Sequence, residues 1–299
     1  MSALPYFKIL LDRLEQNDPT ATKVWGRHVH WGYWEDPSKA KNTPEDFAEA
    51  AEALCEYMFN VAGIRDGMRI LDVGCGLGGT IASLNDRFSD LTMVGVNIDP
   101  LQLDRAREAV VPRAGNSVSF LECNGNDLLS LDQEPFDVIF AVECIFHFDR
   151  PAFFNGARQL LKPHGCVVVS DYTTKSWSRP LYRIADALLF GKSTKETYGE
   201  LDISWNQNMY AKCAEQKNLK LSEFHDITKN TLPTYHCIRA LMKDWQESFD
   251  RPNWALELGS RYGFLQYPVI RFNVAGDQQP QDDKAGQKDS EKPRAEMVT

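Results

Sequence analysis

Long apolar runs are missing from this chain, and so is any excess of positive charge. No stretch of about 18 consecutive apolar residues occurs, which argues against a membrane-spanning helix. The N-terminus, Met1-Ser2-Ala3-Leu4-Pro5, lacks a basic region followed by an apolar one and does not read as a secretory leader. Lys and Arg number 33 against 42 Asp and Glu, a formal net charge of -9, so a nucleic-acid backbone finds no broad basic field. Paired cysteines are missing too. The seven cysteines (Cys55, Cys75, Cys123, Cys144, Cys166, Cys213, Cys237) stand singly, with no Cys-x-x-Cys and an odd total, and read as reduced core thiols. The only close pair of metal-ligating side chains is His28 and His30, and no metal site is expected. These absences point to a cytoplasmic protein whose partner is neither nucleic acid nor a membrane. Its 299 residues, 43% hydrophobic, suffice for one large α/β domain or two small ones.

What is present centres on Ile70-Leu71-Asp72-Val73-Gly74-Cys75-Gly76-Leu77-Gly78-Gly79-Thr80. Arg69 to Val73 has the length and apolar character of a strand buried on both faces, and Thr80 to Phe88 can continue as a helix. Glycines 74, 76 and 78 allow positive φ and let a ligand approach the main chain. Dinucleotide-binding folds use Gly-x-Gly-x-x-Gly at such a turn; here the spacing is Gly-x-Gly-x-Gly. Asp72 just before it would repel a phosphate and attract an ammonium group, which argues against NAD and a dehydrogenase. The stretch resembles motif I of the class I S-adenosylmethionine-dependent methyltransferases, whose cofactor carries an ammonium, a carboxylate, a sulfonium and an adenosine.

That resemblance covers about residues 25 to 275 and implies a Rossmann-like methyltransferase fold: a seven-stranded, mostly parallel sheet with helices on both faces and an antiparallel last strand. Strands are predicted at Thr92 to Asn97, Val118 to Glu122, Phe136 to Ala141, Cys166 to Ser170, Leu219 to Asp226 and Tyr267 to Asn273. Residues 1–65 read as an N-terminal helical cover: a leader helix over 4–16, an aromatic segment from Val24 to Trp34, and a helix opened by Thr43 and Pro44. The leader helix either covers the site or serves a partner subunit, which leaves a homo-oligomer open. Residues 66–275 read as the cofactor-binding core. Within it 173–204 is a lid insertion after the fifth strand, with Arg179 to Phe190 helical and Gly191 to Lys195 a mobile loop. A last helix is predicted from Pro233 to Phe249, with Met242 and Trp245 on its apolar side. The polar segment 276–299 reads as a disordered tail.

The resemblance also implies site residues. Tyr33, in a histidine-glycine-aromatic segment like that of tocopherol, sterol and natural-product methyltransferases, would contact the methionine end of the cofactor or the substrate. Asp72, Gly74, Gly76 and Gly78 would hold the methionine end, and Asn97, with Ile98 beside it, would take the ribose position where the family usually has an acid. Gln102 stands where related enzymes have a glutamine, and Asn124, followed by Gly125, stands at the adenine position. Asp99 reads equally as a helix cap or a ligand contact.

Past the fourth strand, Glu143 and His147 occupy the end where open α/β sheets bind ligands. There a histidine can take a proton from an attacking hydroxyl or amine, or simply be satisfied in the core. Glu-x-x-x-His at this point is similar to sugar O-methyltransferases of natural-product pathways and to sterol and tocopherol C-methyltransferases. By the same resemblance Asp171 would orient His147, with a turn or capping role as the alternative. The expected function is transfer of a methyl group from S-adenosylmethionine to a hydroxyl or amine of a small natural product, with His147 as base and S-adenosylhomocysteine as product. C-methylation of an alkene, prenyl or sterol-like acceptor is the alternative, and a cofactor-binding but non-catalytic partner protein is the alternative of another class. Only Lys192 and Lys195 hint at a basic cluster for a diphosphate.

Overall fold

Residues Arg69–Val73 form the central strand, β1, and the alternation of its side chains decides what packs where. Successive strand residues point to opposite faces, so Ile70 enters one apolar layer while Leu71 and Val73 enter the other. The same alternation runs through β4 (Phe136–Val142), where Val138 and Phe140 oppose Ile139 and Ala141, and through β5 (Leu161–Ser170), where Cys166 and Val168 oppose Val167 and Val169. Burial on both faces is why these strands read as near-continuous apolar runs. The structure is a computed structural model that describes residues 5–241 and 250–276. The expected helical residues Met242 and Trp245 and the tail from 277 onward lie outside them.

With β2 (Thr92–Asn97), β3 (Ser117–Glu122), β7 (Leu219–Asp226) and β9 (Pro268–Val274), the sheet has seven strands in the order β3-β2-β1-β4-β5-β9-β7. Neighbours are parallel from β3 to β5, and β9 runs antiparallel to both β5 and β7, as expected. Leu71 pairs with Val94 on one side and Ile139 on the other. A short ribbon of β6 (Thr173–Thr174) and β8 (Leu265–Gln266) stands apart. β5 begins earlier than expected: Leu161 pairs with Phe136, and the register then shifts before Val138 meets Cys166.

The layer holding Ile70 is covered by α3 (Pro44–Ala62), α4 (Gly79–Arg87) and α5 (Pro100–Ala109), and the layer holding Leu71 by α6 (Arg150–Leu160) and α9 (Gln207–Glu215). Local chemistry sets the helix ends. The Thr43 hydroxyl accepts from Asp46 N–H at the start of α3, and Gly63 at φ +69° ends it. A third apolar cluster joins α1 (Pro5–Glu15) and α2 (Pro19–Trp25) to Trp34, the start of α3 and Cys237 of α11 (Pro233–Leu241).

After β5 come α7 (Arg179–Ala185), a π-turn over Asp186–Phe190 and α8 (Gly191–Tyr198). The segment expected as a loop at Gly191 to Lys195 is therefore helical. Ser193 and Thr194 hydroxyls donate back to the Phe190 carbonyl, and the turn breaks only at Gly199, φ +78°. The remaining helices are α10 (Thr228–Thr231) and α12 (Asp250–Arg261). Among the described residues, no helix is long and apolar enough to cross a membrane.

Candidate functional site

Strand order reverses between β1 and β4, and the crevice at their carboxyl ends is where this sheet type receives ligands. A cleft opens there. β1 contributes Asp72 and the loop after it Gly74 and Gly76, the turn from β2 into α5 contributes Asn97, Ile98, Asp99 and Gln102, and the segment after β4 contributes Glu143 and His147. Gly74, at φ +73°, lies so close to Cys144 that a Cβ would meet its Sγ at 2.8 Å.

Asp72 is 1% exposed, and neither carboxylate oxygen accepts a hydrogen bond from the protein. Burial pushes its carboxyl up to about 8, opposed only by the nearby Thr80 hydroxyl, which is not in hydrogen-bonding geometry with either oxygen. A buried carboxylate without a partner is costly. It suits a cationic ligand group that arrives from outside.

A second, apolar cavity adjoins the cleft, with Trp25, Trp31, Phe47, Phe146, Tyr198 and Leu201 in its wall. Tyr6, Val29, His30, Glu143 and His147 line both spaces and mark their junction. His147 ends the 3₁₀ turn Ile145–His147. Its Nδ1 lies 2.7 Å from the Glu200 carbonyl, an acceptor only, so Nδ1 carries the hydrogen and Nε2 keeps a free lone pair. Burial lowers its pKa, which keeps the imidazole neutral at pH 7.

Glu143 adopts φ +49°, a backbone region that non-glycine residues enter rarely. Its Oε1 accepts from the Trp31 backbone N–H at 2.7 Å and from the Tyr267 hydroxyl. Burial raises this carboxyl to about 8, opposed by those two bonds. Glu143 thus ties the N-terminal cover to β4 and to the start of β9.

The family profile described as "Methyltransferase domain" matches residues 70–165, from β1 into β5. Over 225 residues the chain is 30% identical to Methyltransferase GfsG of Streptomyces halstedii, covering 75% of this chain and 77% of that protein. The chain belongs to the S-adenosylmethionine-dependent methyltransferases. It is also 29% identical over 152 residues to the 27-O-demethylrifamycin SV methyltransferase of Amycolatopsis mediterranei, covering 50% of this chain and about half, 53%, of that one. In fold it is similar to a geranyl diphosphate C-methyltransferase from Streptomyces coelicolor solved with Mg2+, a substrate analogue and S-adenosylhomocysteine, with TM-score 0.66, 19% identity, and 91% and 100% of the two chains covered. As a small-molecule methyltransferase it uses S-adenosylmethionine, and the orphaned Asp72 carboxyl fits that cofactor's ammonium.

Seen against this methyltransferase site, several expected residues sit elsewhere. Tyr33 is not at the cleft: its ring packs on Tyr57 at 4.9 Å and its N–H donates to the Ala50 carbonyl. Gly78, φ +81°, faces Ala106 and Phe120, so it serves close packing of α4's entry against α5 and β3. Asn124 Oδ1 accepts from Asn126 N–H, and a Cβ on Gly125 would strike the Phe148 ring; neither residue lines the cleft, although Phe148 does. Asn97 lines it, but its Oδ1 accepts from Ile98 N–H and its Nδ2 donates to Gln102. Asp99 meets both readings at once, capping Leu101 N–H, accepting from Gln102 Nε2 and lining the cleft.

The pairing of Asp171 with His147 is corrected. Asp171 is fully buried, 2.9 Å from Arg150 and bonded to the Tyr210 hydroxyl, while Arg150 Nε donates to Tyr210 at 2.7 Å. It lies on the sheet face covered by α6 and α9, where a guanidinium in reach claims it, and His147 is held instead by the Glu200 carbonyl. Sequence reasoning also missed Tyr6 and His30 at the junction. One is an aromatic in a leader helix and the other a histidine in an aromatic cluster, and neither has a spacing that tells ligand-facing from core-facing.

Proposed function

We propose that the protein methylates a hydroxyl or amine of a largely apolar small molecule, with His147 as general base. The observation that carries this reading is the position of His147 at the junction of cleft and apolar cavity, neutral and with Nε2 free. Bound S-adenosylmethionine supplies an electrophilic methyl group on a sulfonium. Asp72 anchors the cationic end of that ligand, Gly74 and Gly76 let it approach the main chain, and Asp99 with Gln102 meets its hydroxyls. The cavity wall seats the acceptor beside His147, which removes the acceptor's proton onto Nε2 while the Glu200 carbonyl fixes the ring. Tyr6 of α1 and Thr194, Tyr198 and Leu201 of the segment after β5 close the wall and exclude water, so the insertion serves as the acceptor lid.

A second reading, methylation of carbon, draws on Glu143, whose carboxyl stands at the same junction and suits a developing cation. A diphosphate on that acceptor is disfavoured. The described lining of the apolar cavity contains no Lys or Arg, and Lys192 and Lys195 pair with Glu196 and Glu200. The test is a panel of apolar alcohols, phenols, amines and alkenes incubated with isotope-labelled methyl donor, with wild-type and His147→Ala protein. Oxygen- or nitrogen-methylated product that His147→Ala scarcely makes supports the first reading. Carbon-methylated product overturns it, and cofactor binding with no product from any acceptor points to a non-catalytic protein.

A further inference from the structure

Behind the cleft, His28, His30 and Cys55 converge on one buried point; they are 4%, 8% and 1% exposed. The partners of the outward ring nitrogens fix the tautomers. His28 Nε2 lies 2.8 Å from Glu52 Oε2, and His30 Nδ1 lies 2.9 Å from the Trp31 carbonyl. The carbonyl can only accept, and the Glu52 carboxylate, which already takes hydrogen bonds from the Ser83 hydroxyl at 2.9 Å and from Arg87 at 3.0 Å, accepts as well. Both outward nitrogens therefore carry the hydrogens. The inward nitrogens, His28 Nδ1 and His30 Nε2, are both bare and face each other at 3.2 Å. Cys55 Sγ completes the triangle at 3.7 Å from the first and 3.3 Å from the second. Three acceptor atoms then share one proton, that of the thiol, and one buried lone pair goes without a donor.

We propose that this His2Cys triangle binds a zinc ion through His28 Nδ1, His30 Nε2 and Cys55 Sγ. Tetrahedral zinc with its usual bond lengths separates two nitrogens by about 3.3 Å and a nitrogen from a thiolate sulfur by about 3.5 Å, and the three edges found here match that spacing. Each imidazole donates its remote N–H to a carboxylate or carbonyl, the arrangement that orients metal-bound histidines. Room has been made for the rings as well: a Cβ on Gly79 would meet His28 Nδ1 at 2.6 Å. Binding releases the Cys55 proton to solvent, and two imidazoles with one thiolate form a donor set that zinc accepts. Because the ligands come from the cover segment and from α3, and His28 abuts the first residue of α4, the ion pins the cover to the entry of the cofactor loop. The inference stands on these contacts alone and does not depend on the acceptor or on His147.

The test is X-ray absorption at the zinc edge on full-length wild-type protein, stripped with chelator and reloaded with one equivalent of Zn2+, alongside Co2+ titration followed by visible absorption. A first shell with one sulfur and two imidazole nitrogens, with tetrahedral Co2+ bands and thiolate charge transfer saturating at one equivalent, is the expected result. Cys55→Ser should lose the charge-transfer band, and His30→Gln should lose tight binding. Absence of metal uptake by the stripped wild-type protein overturns the proposal, as does a shell without sulfur or with more than one. The wild-type spectra decide the matter whether or not either variant folds, and none of these readouts measures methyl transfer.

Discussion

Asp72→Asn should make the protein more stable and weaken its hold on the cofactor, and the size of the first effect follows from the orphaned carboxyl. Burial raises that group from its ordinary 3.8 to about 8 in the folded protein. The folded state thus holds the proton more tightly than the unfolded chain does. Its contribution to stability is full below about pH 4 and is lost as pH rises towards about 8. Asparagine has the same shape and no proton to lose. The stability of Asp72→Asn minus that of wild type should therefore climb by about 1.4 kcal/mol per pH unit until the slope falls away near about pH 8, a rise of about 2 kcal/mol between about pH 6 and about pH 8, and level off above. Urea melts of both ligand-free proteins across that window measure the slope, and any constant cost of the amide drops out. Calorimetry with S-adenosylhomocysteine should show affinity lost by about 10- to 100-fold, the worth of a charge-assisted hydrogen bond. A stability difference that stays flat with pH would refute the reasoning, because it would mean that Asp72 is already ionised and partnered without ligand.

His147→Ala should lower turnover by about 100- to 10,000-fold while calorimetry shows S-adenosylhomocysteine binding unchanged; in wild type, kcat should rise with pH through an apparent pKa below 6.5 and stay flat above it, because the base works in its neutral form. Arg150→Ala strands Asp171 in the core beside Tyr210, and denaturant unfolding should show a loss of about 3–5 kcal/mol. Gly78→Ala places a Cβ at φ +81° and 3.0 Å from that of Ala106, so chemical denaturation should register about 2 kcal/mol or more of destabilisation.

The sheet was legible in the sequence because two-sided burial leaves a mark: Arg69–Val73, Phe136–Val142 and the Val167–Val169 run have no other reading that ends in a glycine turn or an acid. Asp72 was legible for the same reason, as a carboxyl flanked by apolar residues at the end of such a run. Asp171 shows the limit. An acid at a strand end is equally apt for a catalytic histidine and for a structural arginine, and the choice was made by Arg150, 21 residues away on the helix that covers the same face of the sheet. Tyr33 failed similarly, since its ring is drawn to Tyr57 by packing that no local pattern encodes. The His28–His30–Cys55 convergence was hidden because its third member sits on the next helix, among apolar residues that look like ordinary core.

Burial sets the charge of the whole junction. It raises Asp72 and Glu143 to about 8, lowers His30 to about 3, and holds His147 below its ordinary value. At pH 7 the buried carboxyls Asp72 and Glu143 are therefore largely protonated without ligand, and the His30 and His147 imidazoles are neutral. Such walls solvate isolated charge poorly, and the penalty grows as water leaves. A cationic cofactor is then best accommodated beside Asp72, a carboxyl that has no hydrogen-bond partner and can ionise to meet it, and a reaction that disperses its charge is favoured over one that creates new ions. Proton removal by His147 fits that constraint only if it accompanies methyl transfer, since an alkoxide and an imidazolium formed beforehand would both stand in this low-dielectric space. On the proposed reading, concerted loss of the proton gives the base at the junction a reason to be a histidine with one nitrogen committed to the Glu200 carbonyl and one free.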